Sequence, residues 1–520
     1  MKDLGELSML DSRNLRRFAF FLSLLLLVTA MALFMLDKKQ RCLEVEILSG
    51  QEDAWLQEYV YKDYSNYLLY NGQRAPVDVQ TSTIYIAQDI GPDTKAEDLL
   101  GSLKISSSRH RLAFAPDEAF RNLAQAVSDN HCFRLYVTDH SGEYMEYNVV
   151  FTTLPVLRID GEFFEYDQKD REVNKGNLCL WTPKDPDSGH YSVKESNVHW
   201  HIRGGSTSYQ PKTPWKLALK KKSGTNKNMS MVGLGSDDDW ILNPMVLDDT
   251  KLKEHLFMQL WNQLAAETDW NPRMSSGQYV EVVMNQNYQG VYLLQRRIDK
   301  KYLNLGSEDI LLKGQSVWEA ATAADAYEIV SSPLNEQDTF AQIQGFFDGS
   351  DPSILRQENY LDVVLFLQYA SAVDNLGYKN MFFNLRKEND GYRLYMIPWD
   401  TDVSWGVVWN EGFAYDYLDS LECAVYRDDF ETIANYDPDL FSRLIQRWKT
   451  LRAGVLSEEN VSATFQAAFN QLTRCGVLER DLQQWGQFYH GEDTAARLEQ
   501  FLEEKLLWLD NHYSQLQHER

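Results

Sequence analysis

Short runs in which apolar and polar residues alternate dominate the chain from about residue 43 to residue 153. Examples are STIYIA, FRLYVTD and YNVVFTT, and turns rich in Gly, Pro, Asp and Asn separate them. Side chains two positions apart lie on the same face of a strand, so the alternation predicts strands with one buried face. A single helix is predicted among them, over residues 116–127. We expect an antiparallel, β-sandwich-like module over residues 43–153 that serves as a spacer or an interaction domain.

After this module, sheet and helix patterns alternate. The runs NVHWHIR and WKLALKKK flank a Gly-rich turn, and YVEVVMNQNYQGVYLLQRRID has the pattern of a hairpin. Two helical segments, FSRLIQRWKTLRAGVLS and LEQFLEEKLLWLDNHY, follow near the C-terminus. The fold class is therefore predicted to be α+β, with a main domain over residues 154–450 and a helical extension over residues 451–520. An amphipathic helix precedes the hairpin, with apolar positions at Leu252, Leu256, Leu260 and Leu264.

Residues 18–36 form an uncharged and almost entirely apolar segment. At about 1.5 Å per residue, a helix of this length nearly matches the hydrocarbon core of a bilayer, about 30 Å. We expect a transmembrane signal anchor, with residues 1–17 as a cytoplasmic tail. The protein would then be a single-pass protein of the cell membrane with the bulk of the chain extracytoplasmic. A cleaved signal peptide is the alternative, since Ala30, Met31 and Ala32 have the small-x-small form of a cleavage site.

The net charge of −25 argues against a nucleic-acid-binding protein, because neutralising phosphates requires a basic face. The five cysteines are widely scattered and none lies at metal-ligand spacing, which argues against a zinc site. Because their number is odd, at least one thiol is free or pairs between chains if the compartment is oxidising. The sequence indicates no oligomeric state.

The densest group of candidate catalytic residues lies between Asp374 and Asp402. Asn380 follows Asp374 by six residues, and a hydrophobic strand then leads to Asp400 and Asp402. Two carboxylates that flank a turn repel each other unless a cation is bound between them. Such a group of acids with an amide is what Mg²⁺-dependent phosphoryl transfer requires. Alternatively, Asp374 caps a turn and the other two acids are solvated loop residues.

A second group of candidates could bind the phosphates of a nucleotide. The turn after Arg203 exposes backbone N–H and hydroxyl donors, although an ordinary hairpin loop would have a similar composition. Lys212 and Lys216 lie an even number of residues apart and are expected on one face of the following strand. Lys216 is the better candidate, because a lysine within an apolar strand needs a partner or must reach solvent. The phosphate-binding candidates are Arg203, Gly204, Gly205, Ser206, Lys212 and Lys216.

Taken together, these motifs resemble the CotH family of spore-coat-protein-H kinases, which are atypical, exported, kinase-like proteins. The matching segments, in family order, are IRGGSTSYQPKTPWKLAL, MVGLGSDDDWIL, LDDTKLKEHL, NQNYQGVYLLQRRID, DNLGYKN and MIPWDTD. The resemblance runs from about residue 154 to Asp402, the C-terminal helices look like the family's tail, and the N-terminal module lies outside it. It implies a two-lobed, protein-kinase-like domain that uses ATP with Mg²⁺ or Mn²⁺ to phosphorylate a protein, such as a surface or coat protein.

The resemblance also implies a role for each acidic residue. Asp374 would be the base that accepts the proton of the acceptor hydroxyl. Asp400 would bridge the nucleotide phosphates through the metal ion, with Asn380 and Asp402 as further metal ligands. The spacing from Asp374 to Asn380 is one residue longer than in the catalytic loop of ordinary protein kinases.

One strand departs from the family, which commonly has a glutamate soon after GVY. Gln295, Arg296 and Arg297 stand there instead. A catalytically weak or inactive kinase-like surface protein, acting as a binding or assembly scaffold, is therefore an alternative function, and a hydrolase with paired carboxylates is another. Glu254, on the amphipathic helix, could bridge to the strand lysine, but we interpret it as a surface residue that makes an i, i+4 pair.

Overall fold

The computed structural model describes residues 22–23, 29, 45–96, 102–107, 109–162, 173–315, 320–375, 378–407, 437, 439–489, 491 and 493–519. Within these ranges no helix combines the length and the apolar character needed to cross a membrane. The predicted tail, residues 1–17, lies outside the described residues. So does the predicted span, residues 18–36, except for Leu22, Ser23 and Thr29. The anchor stays a prediction.

The described residues divide into two compact units. The first comprises Met1–Ile86, Gly91–Ala126 and His131–Val150, and the second comprises Ala87–Ile90, Val127–Asn130 and Phe151–Arg520. The candidate site residues all belong to the second unit.

The strands up to residue 152 form a seven-stranded and a three-stranded sheet. The strands are β1 (Glu46–Ile47), β2 (Glu58–Tyr59), β3 (Leu68–Tyr70), β4 (Gln73–Arg74), β5 (Val77–Asp78), β6 (Thr83–Ala87), β7 (Leu103–Ile105), β8 (Arg111–Phe114), β9 (Phe133–Thr138) and β10 (Glu143–Thr152). The larger sheet has the order β1-β8-β9-β10-β6-β5 with β2 also paired to β10, and the smaller sheet has the order β4-β3-β7. The helices are α1 (Gly50–Asp53), α2 (Leu123–Ser128) and the 3-10 turn Glu118–Arg121.

The pairing in the larger sheet is mixed, because β1 runs parallel to β8 and β2 runs parallel to β10. The prediction of purely antiparallel strands was wrong for these two pairs. Alternation reports which face of a strand is buried, but it carries no information on the direction of the neighbouring strand.

Seven strands of the second unit close into a barrel. The strands in this region are β11 (Val156–Gly161), β12 (Asn174–Thr182), β13 (Ser192–Ile202), β14 (Trp215–Lys220), β15 (Met229–Ser230), β16 (Ser236–Asp237), β17 (Asp239–Asn243), β18 (Gly277–Met284) and β19 (Asn287–Arg296). The barrel order is β11-β12-β13-β14-β17-β19-β18, and the parallel pair β11–β18 closes it. Alternate residues of β14, namely Trp215, Leu217 and Leu219, fill its core. The helix α3 (Lys253–Glu267) lies between β17 and β18 in the chain.

The hairpin predicted from the sequence is present as β18 and β19. Asn285 and Gln286, at its turn, have φ values of 47° and 62°. Two consecutive left-handed residues match the twist of antiparallel strands, and Asn tolerates this conformation better than most residues.

A four-stranded antiparallel sheet follows the barrel. Its strands are β20 (Ile310–Gly314), β21 (Tyr327–Ser331), β22 (Met381–Glu388) and β23 (Gly391–Pro398), in the order β21-β20-β22-β23. The helices in this region are α4 (Ala323–Ala326), α5 (Glu336–Ala341), α6 (Gln344–Phe347), α7 (Gln357–Ala370) and the 3-10 turn Pro352–Ile354. The helix α7 packs on β23, where the buried Asn359 exchanges hydrogen bonds with the backbone of Met396 at 3.1 and 2.7 Å.

The C-terminal part is helical, as predicted. It contains α8 (Leu440–Arg452), α9 (Glu458–Thr473), α10 (Val477–Trp485), α11 (Ala495–Glu519) and the 3-10 turn Gly486–Phe488. The helix α8 crosses the domain border predicted between residues 450 and 451. Two buried ion pairs attach α10 to the barrel region, Arg480 with Glu281 and Asp481 with Lys212, each at 2.7 Å. The α+β class is thereby confirmed.

Candidate active site

A cavity of about 610 Å³ lies in the second unit, lined by residues of the barrel and of the four-stranded sheet. Apolar side chains, including Phe382 and Trp399, form part of its wall. Four Lys or Arg side chains but only two carboxylates line it among the described residues. In a chain of net charge −25, such a concentration of positive charge indicates a site for an anionic ligand. The charged lining residues are Arg203, Lys216, Arg297, Lys313, Glu328 and Asp400.

Asn380 and Asp400 meet at this cavity because of the pairing of β22 with β23. The register places the residue before β22 beside the residues after β23. The N–H of Trp399 donates a hydrogen bond to the carbonyl oxygen of Asn380 at 3.0 Å. Asn375 links the same two segments, since its Nδ2 donates to the carbonyl oxygens of Asn380 and Trp399, both at 2.9 Å. Sequence analysis did not single out Asn375, because a single sequence does not show that an amide is buried.

Asp374 joins this group through Asn380. Its Oδ2 accepts a hydrogen bond from Asn380 Nδ2 at 2.8 Å, and its Oδ1 pairs with Lys379. Two donors therefore fix the orientation of the Asp374 carboxylate. Because Asn380 uses its amide nitrogen on Asp374, its oxygen is the atom suited to a cation.

Two buried acids, Glu254 and Asp402, lie close enough to Asp400 to be affected by its charge. They are 1% and 8% exposed. Burial and the charge of Asp400 raise the pKa of Glu254 to about 8. Burial and the charges of Asp400 and Glu254 also raise the pKa of Asp402 well above its ordinary value. The two buried acids are therefore crowded against Asp400 so that their ionised forms are disfavoured, and a divalent cation bound among the three acids would favour those ionised forms.

Asp400, Asp402 and Asn380 fit the ligand chemistry of Mg²⁺ or Mn²⁺, which prefer carboxylate and amide oxygens. Asp400 itself has a φ of 57°, a left-handed conformation that short polar residues adopt more readily than others. Across the described ranges, no three His, Cys, Asp or Glu side chains lie close enough to hold an ion by themselves. A site built from protein side chains alone is not required, because Mg²⁺ usually binds one or two carboxylates together with substrate phosphates.

Glu254 is held by two amides. It accepts hydrogen bonds from Gln295 Nε2 at 2.9 Å and from Asn243 Nδ2. Our interpretation of Glu254 as a surface residue was wrong, since its side chain is buried in the first turn of α3. No ion pair joins it to Lys216 in the described part of the chain.

The Gly-rich turn lies at the cavity, with Arg203, Gly204 and Gly205 among the lining residues, and its binding of phosphates stays a prediction. Gly204 has a φ of 91°, and a Cβ there would lie 2.6 Å from Thr207 Oγ1. A side chain at this position would therefore be strained. Ser206 begins the short 3-10 helix Ser206–Tyr209.

The structure separates the two candidate lysines. Lys216 lines the cavity, with its Nζ 3.3 Å from Asp239 Oδ2. Lys212 precedes β14, so it does not share a strand face with Lys216, and it does not line the cavity. Its buried Nζ instead donates to Asp481 Oδ1 at 2.7 Å and to the carbonyl oxygen of Val291 at 2.6 Å.

The three polar residues that stand where the family commonly has a glutamate, at the end of β19 and just after it, all have partners. Gln295 holds Glu254, as described above. Arg296 donates to Asp237 Oδ2 at 2.6 Å, and its guanidinium carbon lies 4.9 Å from the ring centroid of Tyr302. Arg297 reaches the cavity wall and donates to Asp239 Oδ2 at 3.0 Å. All three side chains therefore have partners within the protein, and only the third also lines the cavity.

Comparison with known proteins shows the family of this chain. The family model described as CotH kinase protein matches residues 200–509, which include every candidate site residue. The chain therefore belongs to the CotH kinase family, and the resemblance inferred from its motifs is confirmed. Membership of this family suggests a kinase-like function. No match was found among curated proteins.

Proposed function

We propose that this protein is a membrane-anchored, extracytoplasmic CotH-like kinase. It transfers the γ-phosphoryl group of ATP to a hydroxyl group of a protein, with Mg²⁺ or Mn²⁺, in a two-lobed kinase-like domain. The observation that supports this function most strongly is the basic cavity of an acidic chain, with Asn380 and Asp400 in its wall. A polyphosphate fits such a lining better than a neutral substrate does.

In the proposed reaction, the site residues have separate roles. Arg203 and the backbone of Gly204 and Gly205 bind and orient the phosphates. Asp374, oriented by Lys379 and Asn380, receives the proton of the acceptor hydroxyl. Asp400, with Asp402 and Asn380, would hold the metal, which would supply charge neutralisation at the phosphates. The acceptor is a protein, such as a surface or coat protein.

A second candidate function is an inactive kinase-like scaffold, and one observation favours it. Protein kinases need an ion pair between a strand lysine and a helix glutamate. Here Lys216 pairs with Asp239, while the buried Glu254 is bound by amides. A scaffold would retain the fold without turnover.

The test uses the full chain in detergent with radiolabelled MgATP. Formation of ADP and labelling of the chain or of membrane proteins are measured for the wild type, Asp374→Asn and Asp400→Asn. Asp390→Asn is the matched control, since Asp390 lies in the β22–β23 turn with a 73% exposed side chain. The kinase predicts that the first two variants lose at least about 100-fold in transfer and that the control keeps it. Equal transfer in all four proteins, or ATP binding without any transfer, would contradict the kinase.

A further inference from the structure

Lys313 is a partly buried lysine of β20 that sequence analysis did not single out. It pairs across the sheet with Glu328 of β21 and with Phe382 of β22. Directly paired residues lie on the same face of a sheet, and both partners line the cavity. Lys313 therefore enters the cavity from the middle of the four-stranded sheet.

The surroundings of Lys313 differ from those of the other lysines at or near the site. Lys216 has Asp239 as a partner, and Lys212 has Asp481. Among the described residues, Lys313 has no carboxylate at ion-pair distance, and it is affected by Asp400 and Glu328 only through longer-range attraction. Burial, followed by the charge of Arg203, lowers its pKa. A lysine in such an environment needs an anion, and none of the residues that the structure describes places one in contact with it.

We propose that Lys313, together with Arg203, contacts the phosphate chain of the bound nucleotide, and that Lys313 rather than Lys216 is the main phosphate-binding lysine of this site. The attraction between Lys313 and Asp400 places the lysine in the same part of the cavity as the candidate metal ligand. A phosphate chain bound by that metal would therefore be within reach of Lys313. This inference rests on the proposed function, since it assumes a nucleotide substrate.

A structural role is the alternative, because Glu328 faces Lys313 across the sheet. In that case Lys313 would stabilise β20 against β21, and its loss would affect the folded state as a whole. The two roles differ in one respect that can be measured. A phosphate-binding lysine distinguishes ATP from adenosine, whereas a structural lysine affects both ligands equally.

The experiment measures the affinity of the full chain for MgATP, adenosine and inorganic pyrophosphate by titration calorimetry. The variants are Lys313→Met, Lys313→Arg and Lys216→Met, with Lys175→Met as control, since Lys175 is exposed on β12. Lys313→Met is expected to weaken MgATP binding by about 10-fold to 100-fold and to leave adenosine binding unchanged. Lys313→Arg keeps most of the affinity, and Lys216→Met loses less than Lys313→Met. Thermal unfolding of each variant accompanies the titrations.

The outcomes separate the inference from the proposed function. A wild type that binds neither MgATP nor pyrophosphate would overturn both. A wild type that binds MgATP, with Lys313→Met equally tight, would overturn the inference alone. The inference alone would also be overturned if Lys313→Met weakened the binding of MgATP and of adenosine to the same degree and lowered the unfolding temperature. That result would assign Lys313 a structural role with Glu328. Selective loss of MgATP and pyrophosphate supports the inference.

Discussion

Breaking the ion pair between Lys212 and Asp481 is expected to destabilise the second unit without affecting nucleotide binding. Both side chains are buried, at 3% and 0% exposure. Asp481 also accepts hydrogen bonds from the N–H of Val291 at 2.9 Å and from the hydroxyl of Tyr489 at 2.5 Å. The ion pair therefore joins α10 to the barrel, and the hydrogen-bond donors to Asp481 are groups of the protein rather than solvent.

The expected loss of folding stability follows from the buried charge that each single substitution leaves unpaired. Burial alone would raise the pKa of Asp481, but Lys212 and Lys251 bring it below its ordinary value, so Asp481 is ionised at neutral pH. Lys251 Nζ also lies 3.9 Å from Asp481 Oδ2. Asp481→Leu therefore strands two buried lysines, and a stranded buried charge costs about 3–5 kcal/mol, whereas Lys212→Met leaves Asp481 with Lys251 and should cost less. A domain is stable by only about 5–15 kcal/mol, so Asp481→Leu should lower the denaturation midpoint strongly and Lys212→Met should lower it by a smaller amount.

The double variant distinguishes a stranded charge from lost packing. The double variant leaves only Lys251 stranded, whereas Asp481→Leu strands both lysines, so the sum of the two single effects should exceed the measured loss by at least about 1 kcal/mol. The assay is urea unfolding of the second unit within the full chain, monitored by tryptophan fluorescence. MgATP titrations on the folded variants accompany it. Additive single effects would refute the reasoning. So would a Lys212→Met protein of normal stability that no longer binds MgATP, since that result would return Lys212 to the nucleotide site.

Further predictions concern pH and a close backbone contact. Burial lowers the pKa of His255 to about 4. The unfolded chain thus binds more protons than the folded chain between about pH 4 and 6.5, and acidification through this window should lower stability by about 3 kcal/mol. His255→Gln should flatten that dependence, and an unchanged pH profile of unfolding would contradict it. A Cβ at Gly314 would lie 1.5 Å from the carbonyl oxygen of Tyr378. Gly314→Ala should therefore cost about 1–3 kcal/mol and weaken MgATP binding, whereas Gly50→Ala, which has open space, should do neither.

The parts of the fold that depend on local pattern could be predicted from the sequence. The leucine spacing predicted α3, and the alternation on both sides of a turn at Asn285 predicted the hairpin. The burial of Glu254 could not be predicted in this way. The leucine stripe indicates one buried face, but the first turn of α3 is buried on other faces too, including Glu254 and the adjacent His255. Only the tertiary arrangement determines which polar residue of a helix lies inside the protein.

Only those features of the candidate site that depend on local structure could be predicted from the sequence. Asn380 and Asp400 come together through a hairpin, which is a local feature, and both were singled out. Lys313 belongs to β20, which reaches the site by pairing with β22 some 70 residues later in the chain. Such long-range pairing has no signal in a single sequence. Lys212, in contrast, was selected as a phosphate-binding candidate but does not line the cavity. Its partner Asp481 lies in the C-terminal helices, so this pairing could not be predicted from the sequence.

The central claim is that the basic cavity and Asp400 form a site for metal-dependent phosphoryl transfer. The most direct test is the metal dependence of radiolabel transfer from ATP by the full chain, with Asp400→Asn beside it. We expect transfer with Mg²⁺ or Mn²⁺, none with a chelator, and a loss of at least about 100-fold in Asp400→Asn at unchanged thermal stability. Transfer that persists in the chelator, or that is equal in Asp400→Asn and the wild type, would contradict the claim.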